Sequence, residues 1–246
     1  MAESKLRVEL LSMTEEPVKV IYSACRQCYA AKFSYDIYKS CFDEVDKSKQ
    51  EEFIKEIVKS GHETPLEHVS MSFAVEGISR TCSHQLVRHR MASYSQQSQR
   101  YVKEFEFDYI IPPSIKEDKK LLDIFEYTMQ AVQNNYTSIV NMLKEKGKKS
   151  ESCYEDARFL LPGAAETKIA VTMNCRELIH FFKIRCCART QWELRRLADA
   201  MRDICKKALP AVFEESDAKC VSLGYCPEGA KFTCSRYPLK ETVLQK

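Results

Sequence analysis

The sequence predicts an α/β chain of the α+β type, a single domain whose mostly antiparallel central sheet is flanked by helices, one of them long. Three observations carry that prediction. Segments of strand period and segments of helical period alternate without regular β-α-β repetition. One helical run extends from about residue 115 to 143. A chain of 246 residues, 44% hydrophobic and 30% charged, is long enough to bury a substantial core.

Residues 6–11 read as the first strand. Pro17 is placed to begin a helix whose apolar stripe is Val18, Ile21, Tyr22, Cys25 and Tyr29. A second helix is expected over residues 49–60, built on Phe53, Ile54, Ile57 and Val58 and ended by Gly61. Val69, Met71, Phe73 and Val75 then alternate with smaller or polar neighbours as a half-buried strand does. Ser79 can cap the following helix, which is expected to carry Gln85, Arg88 and His89 toward a polar turn at residues 92–100. Residues 107–111, before Pro112-Pro113, read as another strand.

The long helix follows, with Leu122, Phe125, Met129, Val132, Tyr136, Ile139 and Leu143 at helical spacing. Residues 144–149 form a charged break, and Ser150 starts a short helix ending near Pro162. Residues 167–173 alternate as a strand, and two helices are expected at 176–187 and 191–213. Residues 1–218 are read as one domain, and residues 219–246 as a cysteine-containing tail to which the sequence gives no role.

Composition excludes several classes of function. The six glycines stand at 61, 77, 147, 163, 224 and 229, so neither GxGxxG nor GxxxxGK[ST] can be assembled. No apolar run is long enough to cross a bilayer and residues 1–7 do not resemble a signal peptide, so no membrane association and a cytoplasmic location are expected. Twelve scattered cysteines in such a chain are expected to be free thiols. Cys220, Cys226 and Cys234 lack the paired CxxC knuckles of a zinc site, and in His62-Glu63-Thr64-Pro65-Leu66-Glu67-His68 the histidines are six apart with Pro65 between them, so no metal is expected.

A net charge of +3 does not by itself mark a nucleic-acid binder. Its distribution is more informative. Between Gly77 and Lys103 there is no Asp or Glu, while Arg80, His84, Arg88, His89, Arg90 and Arg100 all fall in that window. Guanidinium forks together with Ser93, Ser95, Ser98, Gln96, Gln97 and Gln99 make a donor and acceptor inventory suited to phosphate and uracil-type carbonyls. The plain alternative is a solvated turn with surface arginines; a second is a single-strand nucleic-acid surface using Tyr94 and Tyr101 for stacking. Downstream, Arg176, His180 and Ile184 share one helical face, and Arg185 and Arg189 another.

The segment Arg88-His89-Arg90, seven residues, then Ser98-x-Arg100-Tyr101 resembles the signature of the flavin-dependent thymidylate synthases. The similarity extends to His62-Glu63-x3-Glu67-His68, to Arg158 shortly before Leu161-Pro162, and to Asn174-x-Arg176-x3-His180-x4-Arg185, covering about residues 6–215. It implies a homotetramer with active sites at subunit interfaces that binds FAD and makes dTMP from dUMP. NADPH would be the reductant and methylenetetrahydrofolate the carbon donor. No nucleic-acid partner is implied.

By the same resemblance, His62, Thr64, Arg88, His89, Arg90, Met91, Gln96, Asn174, Cys175, Arg176 and His180 would bind FAD. Gln85, Arg88, Gln96, Gln97, Ser98, Gln99, Arg100, Arg158 and Arg185 would bind dUMP. Arg185 and Ser98 are the two residues implied at the reacting pyrimidine: Arg185 would favour the ionised, electron-rich ring, and Ser98 would position the nucleotide. An unassisted serine is a weak nucleophile. Cys186 and Cys187, beside Arg185, are formal candidates for attack at the pyrimidine because a nearby cation lowers a thiol's pKa, but they are not the expected route. A hydroxymethylating relative acting on uracil nucleotides would share nearly all of these residues. Here Arg189 stands where the family often has His, and His180 where some members have Asn.

Overall fold

The computed structural model describes residues 1–244. Its elements in order are β1 (Arg7–Met13), α1 (Pro17–Gln27), α2 (Ser34–Glu44), α3 (Lys47–Lys59), a 3-10 turn (Thr64–His68), β2 (Ser70–Ser79), α4 (Arg80–Leu86), β3 (Ala92–Gln96), α5 (Pro113–Lys116) and α6 (Lys119–Glu145). They continue with α7 (Ser150–Ala157), a second 3-10 turn (Arg158–Leu160), β4 (Glu166–Asn174), α8 (Cys175–Arg185), α9 (Trp192–Ala208), α10 (Pro210–Phe213), α11 (Lys219–Leu223) and α12 (Lys240–Leu244). The strands make one antiparallel sheet in the order β1-β2-β4-β3, with helices around it, as the sequence predicts.

Each long element follows from its pattern and its cap. In β2 the side chains of Met71, Phe73 and Val75 are buried, and in β4 those of Thr167, Ile169, Val171 and Met173, the alternation of a sheet with one face in the core. Asp46, Ser79, Asp118, Asn174 and Gln191 each accept a hydrogen bond from a first-turn N–H, capping α3, α4, α6, α8 and α9.

Several expectations need correction. Residues 92–96 are not a turn but an edge strand, and Gln97 N–H donates to Lys168 O at 2.9 Å just beyond it. Its sequence Ala92-Ser93-Tyr94-Ser95-Gln96 has no aliphatic residue larger than alanine, so no strong apolar period marks it; pairing along β4 decides its conformation. Residues 107–111 make only isolated bridges, of Tyr109 with Glu3 and with Ala165. The helix expected over 191–213 breaks at Leu209, because the residue before Pro210 is pushed out of the helical region. Arg88 and His89 lie beyond the end of α4, which stops at Leu86. The helix α2 has no counterpart in the sequence reading.

The chain forms two compact units. The first comprises residues 1–7, 74–88 and 94–170. Its core lies along α6, where Phe107, Tyr109, Ile111, Met129 and Ala165 form one cluster and Tyr136, Val140, Cys153, Tyr154 and Ala157 another. Gln133, buried in α6, holds the preceding loop by accepting from Phe107 N–H at 3.0 Å and donating to Glu104 O at 3.0 Å. Gly77 lies here with φ +70°, and a Cβ on it would stand 1.9 Å from Lys5 O, so glycine alone fits the crossing of these two backbones.

The second unit comprises residues 8–73, 89–93 and 171 onward, and it includes the C-terminal segment. Its core gathers Ile21, Ile54, Leu66, Met71, Leu178, Phe181, Phe182, Leu194 and Phe213, all essentially solvent-free. The Phe182 and Phe213 rings meet edge-on at 6.1 Å, packing α8 toward α10. Among the described residues, no helix is long and apolar enough to cross a membrane.

Candidate active site

The residues singled out in the sequence fall into two clusters, one in each unit. In the second unit the focus is His89. Its ring is buried, edge-on to Phe181 at a centroid distance of 4.8 Å. Its Nδ1 lies 3.1 Å from Glu177 Oε1, and its Nε2 lies 3.0 Å from Arg185 Nε. Arginine Nε carries a proton at any relevant pH and only donates, so His89 Nε2 must be the unprotonated acceptor. The ring proton is then on Nδ1, where it is donated to Glu177. Burial holds the imidazole below its ordinary pKa; the Glu177 hydrogen bond opposes that shift and the Arg185 charge reinforces it. The chain Glu177–His89–Arg185 thus fixes one tautomer and one guanidinium orientation. The two terminal nitrogens of Arg185 have no hydrogen-bond or ion-pair partner among the described residues.

The helix bearing Arg185 is itself tied down. On α8, Arg176 pairs with Glu67 of the 3-10 turn, and Lys183 Nζ lies 2.9 Å from Glu63 Oε1 at the start of that turn. Asn174 spends its side-chain oxygen capping α8, accepting from Glu177 N–H at 2.8 Å. The two acidic residues of the His62–His68 segment therefore serve as ion-pair partners for α8. His62 is exposed, its Nδ1 3.0 Å from Ser60 Oγ, and Thr64, Arg90 and His180 are also exposed. Met91 is 70% exposed, an unusual setting for so apolar a side chain.

Two buried thiols stand at the ends of α8, and the one next to Arg185 behaves otherwise than that neighbour suggests. The Cys186 thiol is pushed up to about 12, first by burial and then by Asp199, so it is protonated and inert as a nucleophile. Cys175 is fully buried, its thiol also pushed up to about 12 by burial, and its N–H donates to Val69 O at 2.8 Å. Its side chain belongs to the core. All twelve cysteines are free thiols.

In the first unit the cluster centres on Gln96. Its Nε2 donates to Ser83 Oγ at 2.9 Å and to Thr167 Oγ1 at 3.1 Å. Ser83 commits its own proton to Arg80 O at 2.9 Å, so it can only accept from Gln96, which fixes the amide's orientation. Both amide hydrogens are occupied, so the group Gln96 has left to offer is its carbonyl oxygen. Arg80 reaches Gln97 O at 3.4 Å, and burial, followed by the charge of Arg158, lowers its pKa.

Arg100 grips Glu155 through two nitrogens, at 3.0 and 3.3 Å, while Arg158 Nε donates to the Glu155 carbonyl at 3.3 Å. One residue of α7 thereby brings two arginines of the candidate set together. Ser98 Oγ accepts from Arg100 N–H at 3.2 Å within a tight turn, and no base contacts its hydroxyl among the described residues. Gln85 is half-buried on α4, Gln97 and Gln99 are half-buried after β3, and Arg88 is exposed with no ion pair among the described residues.

Sequence reasoning missed Glu177, Ser83, Thr167 and Glu155. Glu177 stands 88 residues from His89, and its position three residues after Asn174 reads only as a first-turn carboxylate favourable to the helix dipole. Between Gly77 and Lys103 the sequence holds no carboxylate, so the partner that orients His89 comes from tertiary structure.

Comparison with known proteins gives a coherent result. A family model described as thymidylate synthase complementing protein matches residues 9–211. The flavin-dependent thymidylate synthase of Nitratidesulfovibrio vulgaris is 50% identical over 244 residues, covering 99% of this chain and 100% of that protein. Similar proteins of the same description occur in Clostridium tetani, 46% identical with 97% of each chain covered, and in Geobacter sulfurreducens, 43% identical with 94% of each covered.

Proposed function

Because the chain belongs to the Thy1 family of flavin-dependent thymidylate synthases, we propose that it makes dTMP by reductive methylation of dUMP with FAD as its flavin, NADPH as reductant and methylenetetrahydrofolate as carbon donor. The observation that carries the mechanistic part of this reading is the guanidinium of Arg185, held in place by a buried, neutral His89.

The carbon at C5 of uracil is a poor nucleophile. A guanidinium directed at the pyrimidine carbonyl and N3 favours the ionised ring, and orientation of the fork matters because the stabilisation is directional. With Nε committed to His89, Arg185 offers its two terminal nitrogens for this contact. Gln96 presents a carbonyl acceptor, and Gln85, Gln97, Ser98, Gln99, Arg88, Arg100 and Arg158 complete the proposed dUMP set. Because Glu155 holds Arg100 and Arg158, a nucleotide phosphate would take over a fork already shaped for an oxyanion. Ser98 positions rather than attacks.

The donor set suits an anionic dinucleotide. In the absence of a glycine loop, Arg88 and Arg90, exposed and without carboxylate partners among the described residues, are the groups fitted to its phosphates. His62, Thr64, Met91, Gln96, Asn174, Cys175, Arg176, His89 and His180 complete the proposed FAD set, in which Cys175, its side chain buried, takes part only through its backbone. Bound flavin would supply the hydride that completes the methyl group. We further propose a homotetramer whose active sites draw residues from several subunits, working in the cytoplasm.

Purified protein should show a flavin spectrum and form dTMP from dUMP, NADPH and methylenetetrahydrofolate. A colourless protein unable to take up FAD, or a hydroxymethylated product in place of dTMP, would overturn the proposal.

A further inference from the structure

The C-terminal segment, beyond the residues matched by the family model, is not a loose tail. Gly224 ends α11 in the left-handed conformation, Cys226 N–H donates to Pro238 O at 2.7 Å, and Cys226 bridges to Leu239. Folded in this way, the segment walls a cavity of about 300 Å³ against the end of α8 and the turn that follows it.

The charge of that wall is one-sided. Lys183, Arg185, Arg189, Lys219 and Arg236 face it, against the single carboxylate of Glu228. Glu63 neutralises Lys183, and Glu228 pairs with Arg189, whose guanidinium also lies 4.3 Å over the Phe232 ring. Arg185, Lys219 and Arg236 have no ion pair among the described residues. Cations at a helix C-terminus offset its dipole, which accounts for Lys183 and Arg185 on α8 itself. It does not account for Lys219 and Arg236, which the C-terminal segment brings in from 34 and 51 positions beyond Arg185. With Arg185 committed to the pyrimidine in the proposed reaction, Lys219 and Arg236 remain as two uncompensated cations on a concave wall that also carries aromatic side chains, a setting suited to a dianionic group attached to a flat ring.

We infer that residues 219–237 complete a pocket for the anionic end of an aromatic co-substrate, entering beside Arg185. This rests on the proposed reaction. Of its four ligands, FAD and dUMP have residue sets; the phosphates of NADPH and the glutamyl carboxylates of methylenetetrahydrofolate have none, and either end fits a cavity of this size. The shared chemistry is the dianion.

Cys187, Cys220 and Cys234 line the same wall, with Cys234 exposed, and they report occupancy without turnover. The full-length, flavin-loaded protein would be alkylated with N-ethylmaleimide in the presence of NADPH or of methylenetetrahydrofolate, and the labelled peptides quantified by mass spectrometry. One of the two co-substrates should slow labelling of Cys220 and Cys234 several-fold in the unmodified protein, and should fail to do so in Lys219→Ala/Arg236→Ala. In the same variant the KM for that co-substrate should rise roughly tenfold or more, since charge-assisted contacts are lost; which KM rises identifies whether the pocket takes phosphate or carboxylate. No protection by either co-substrate together with unchanged KM values overturns the pocket, as does a rise in both KM values that accompanies loss of flavin. Protection in a protein that makes no dTMP would uphold the pocket and overturn the reaction.

Discussion

Replacing Glu177 by Gln separates the orientation of Arg185 from its presence. The Glu177 side chain is 11% exposed and accepts from His89 Nδ1 at 3.1 Å. A carboxylate can only accept, so it enforces the tautomer with a free lone pair on Nε2. An amide can turn its NH2 toward Nδ1, which moves the ring proton to Nε2, directly against the Arg185 Nε–H that now bonds there at 3.0 Å. The bond between His89 and a charged donor is then lost; bonds of this class are worth about 1.5–3 kcal/mol. If that energy holds the guanidinium in its productive orientation, kcat should fall roughly tenfold to a hundredfold, at about 1.4 kcal/mol per factor of ten. The assay is steady-state dTMP formation at saturating dUMP with flavin content measured in parallel. A folded, flavin-loaded Glu177→Gln protein with kcat within about twofold of the unmodified enzyme would refute the positioning role.

Three further outcomes are expected. Thr167→Val removes one of the two acceptors holding the Gln96 amide and should raise the KM for dUMP about fivefold, at roughly 1 kcal/mol per neutral hydrogen bond, with recovery in Thr167→Ser; equal KM values in all three would count against the contact. Burial lowers the pKa of His89 below its ordinary 6.5, so the contribution of its neutral form to stability is complete above pH 6.5 and drains as pH falls from there through the lowered folded value. Protonation of Nε2 also ends its bond to Arg185, so the acid limb of kcat should centre below pH 6.5, and a limb centred above it would contradict the assignment. Gly77→Ala adds a positive-φ cost of about 1–2 kcal/mol and a backbone displacement of about 1–3 kcal/mol, which together should lower Tm by roughly 5–15 °C; an unchanged melting temperature would show that the crossing with Lys5 relaxes freely.

Elements with a strong apolar period were legible in the sequence. The β2 and β4 strands, α1, α3 and α6 were placed because their buried positions repeat at 2.0 or 3.6 residues, and caps such as Ser79 mark their ends. The edge strand β3 was not, since five residues without a large aliphatic side chain carry only a weak period and pairing with β4 is a nonlocal event. The site divides along the same line. Arg185, His89 and Gln96 stood out by residue type and motif, whereas Glu177, Ser83, Thr167 and Glu155, which orient them, are ordinary residues in unremarkable local sequence. Nor did the sequence indicate the wall that residues 219–237 build, because a segment without period or motif acquires its role only when its cations meet the end of α8.

The central claim is that thymidylate synthesis by this chain depends on the guanidinium that His89 holds. The most direct measurement is dTMP formation by the unmodified protein and by Arg185→Ala, each loaded with FAD and saturated with dUMP, NADPH and methylenetetrahydrofolate. The unmodified enzyme should turn over, and the variant should keep its flavin spectrum while losing at least about a hundredfold in kcat, the loss typical of a directed transition-state donor. Near-normal turnover by flavin-loaded Arg185→Ala would contradict the account.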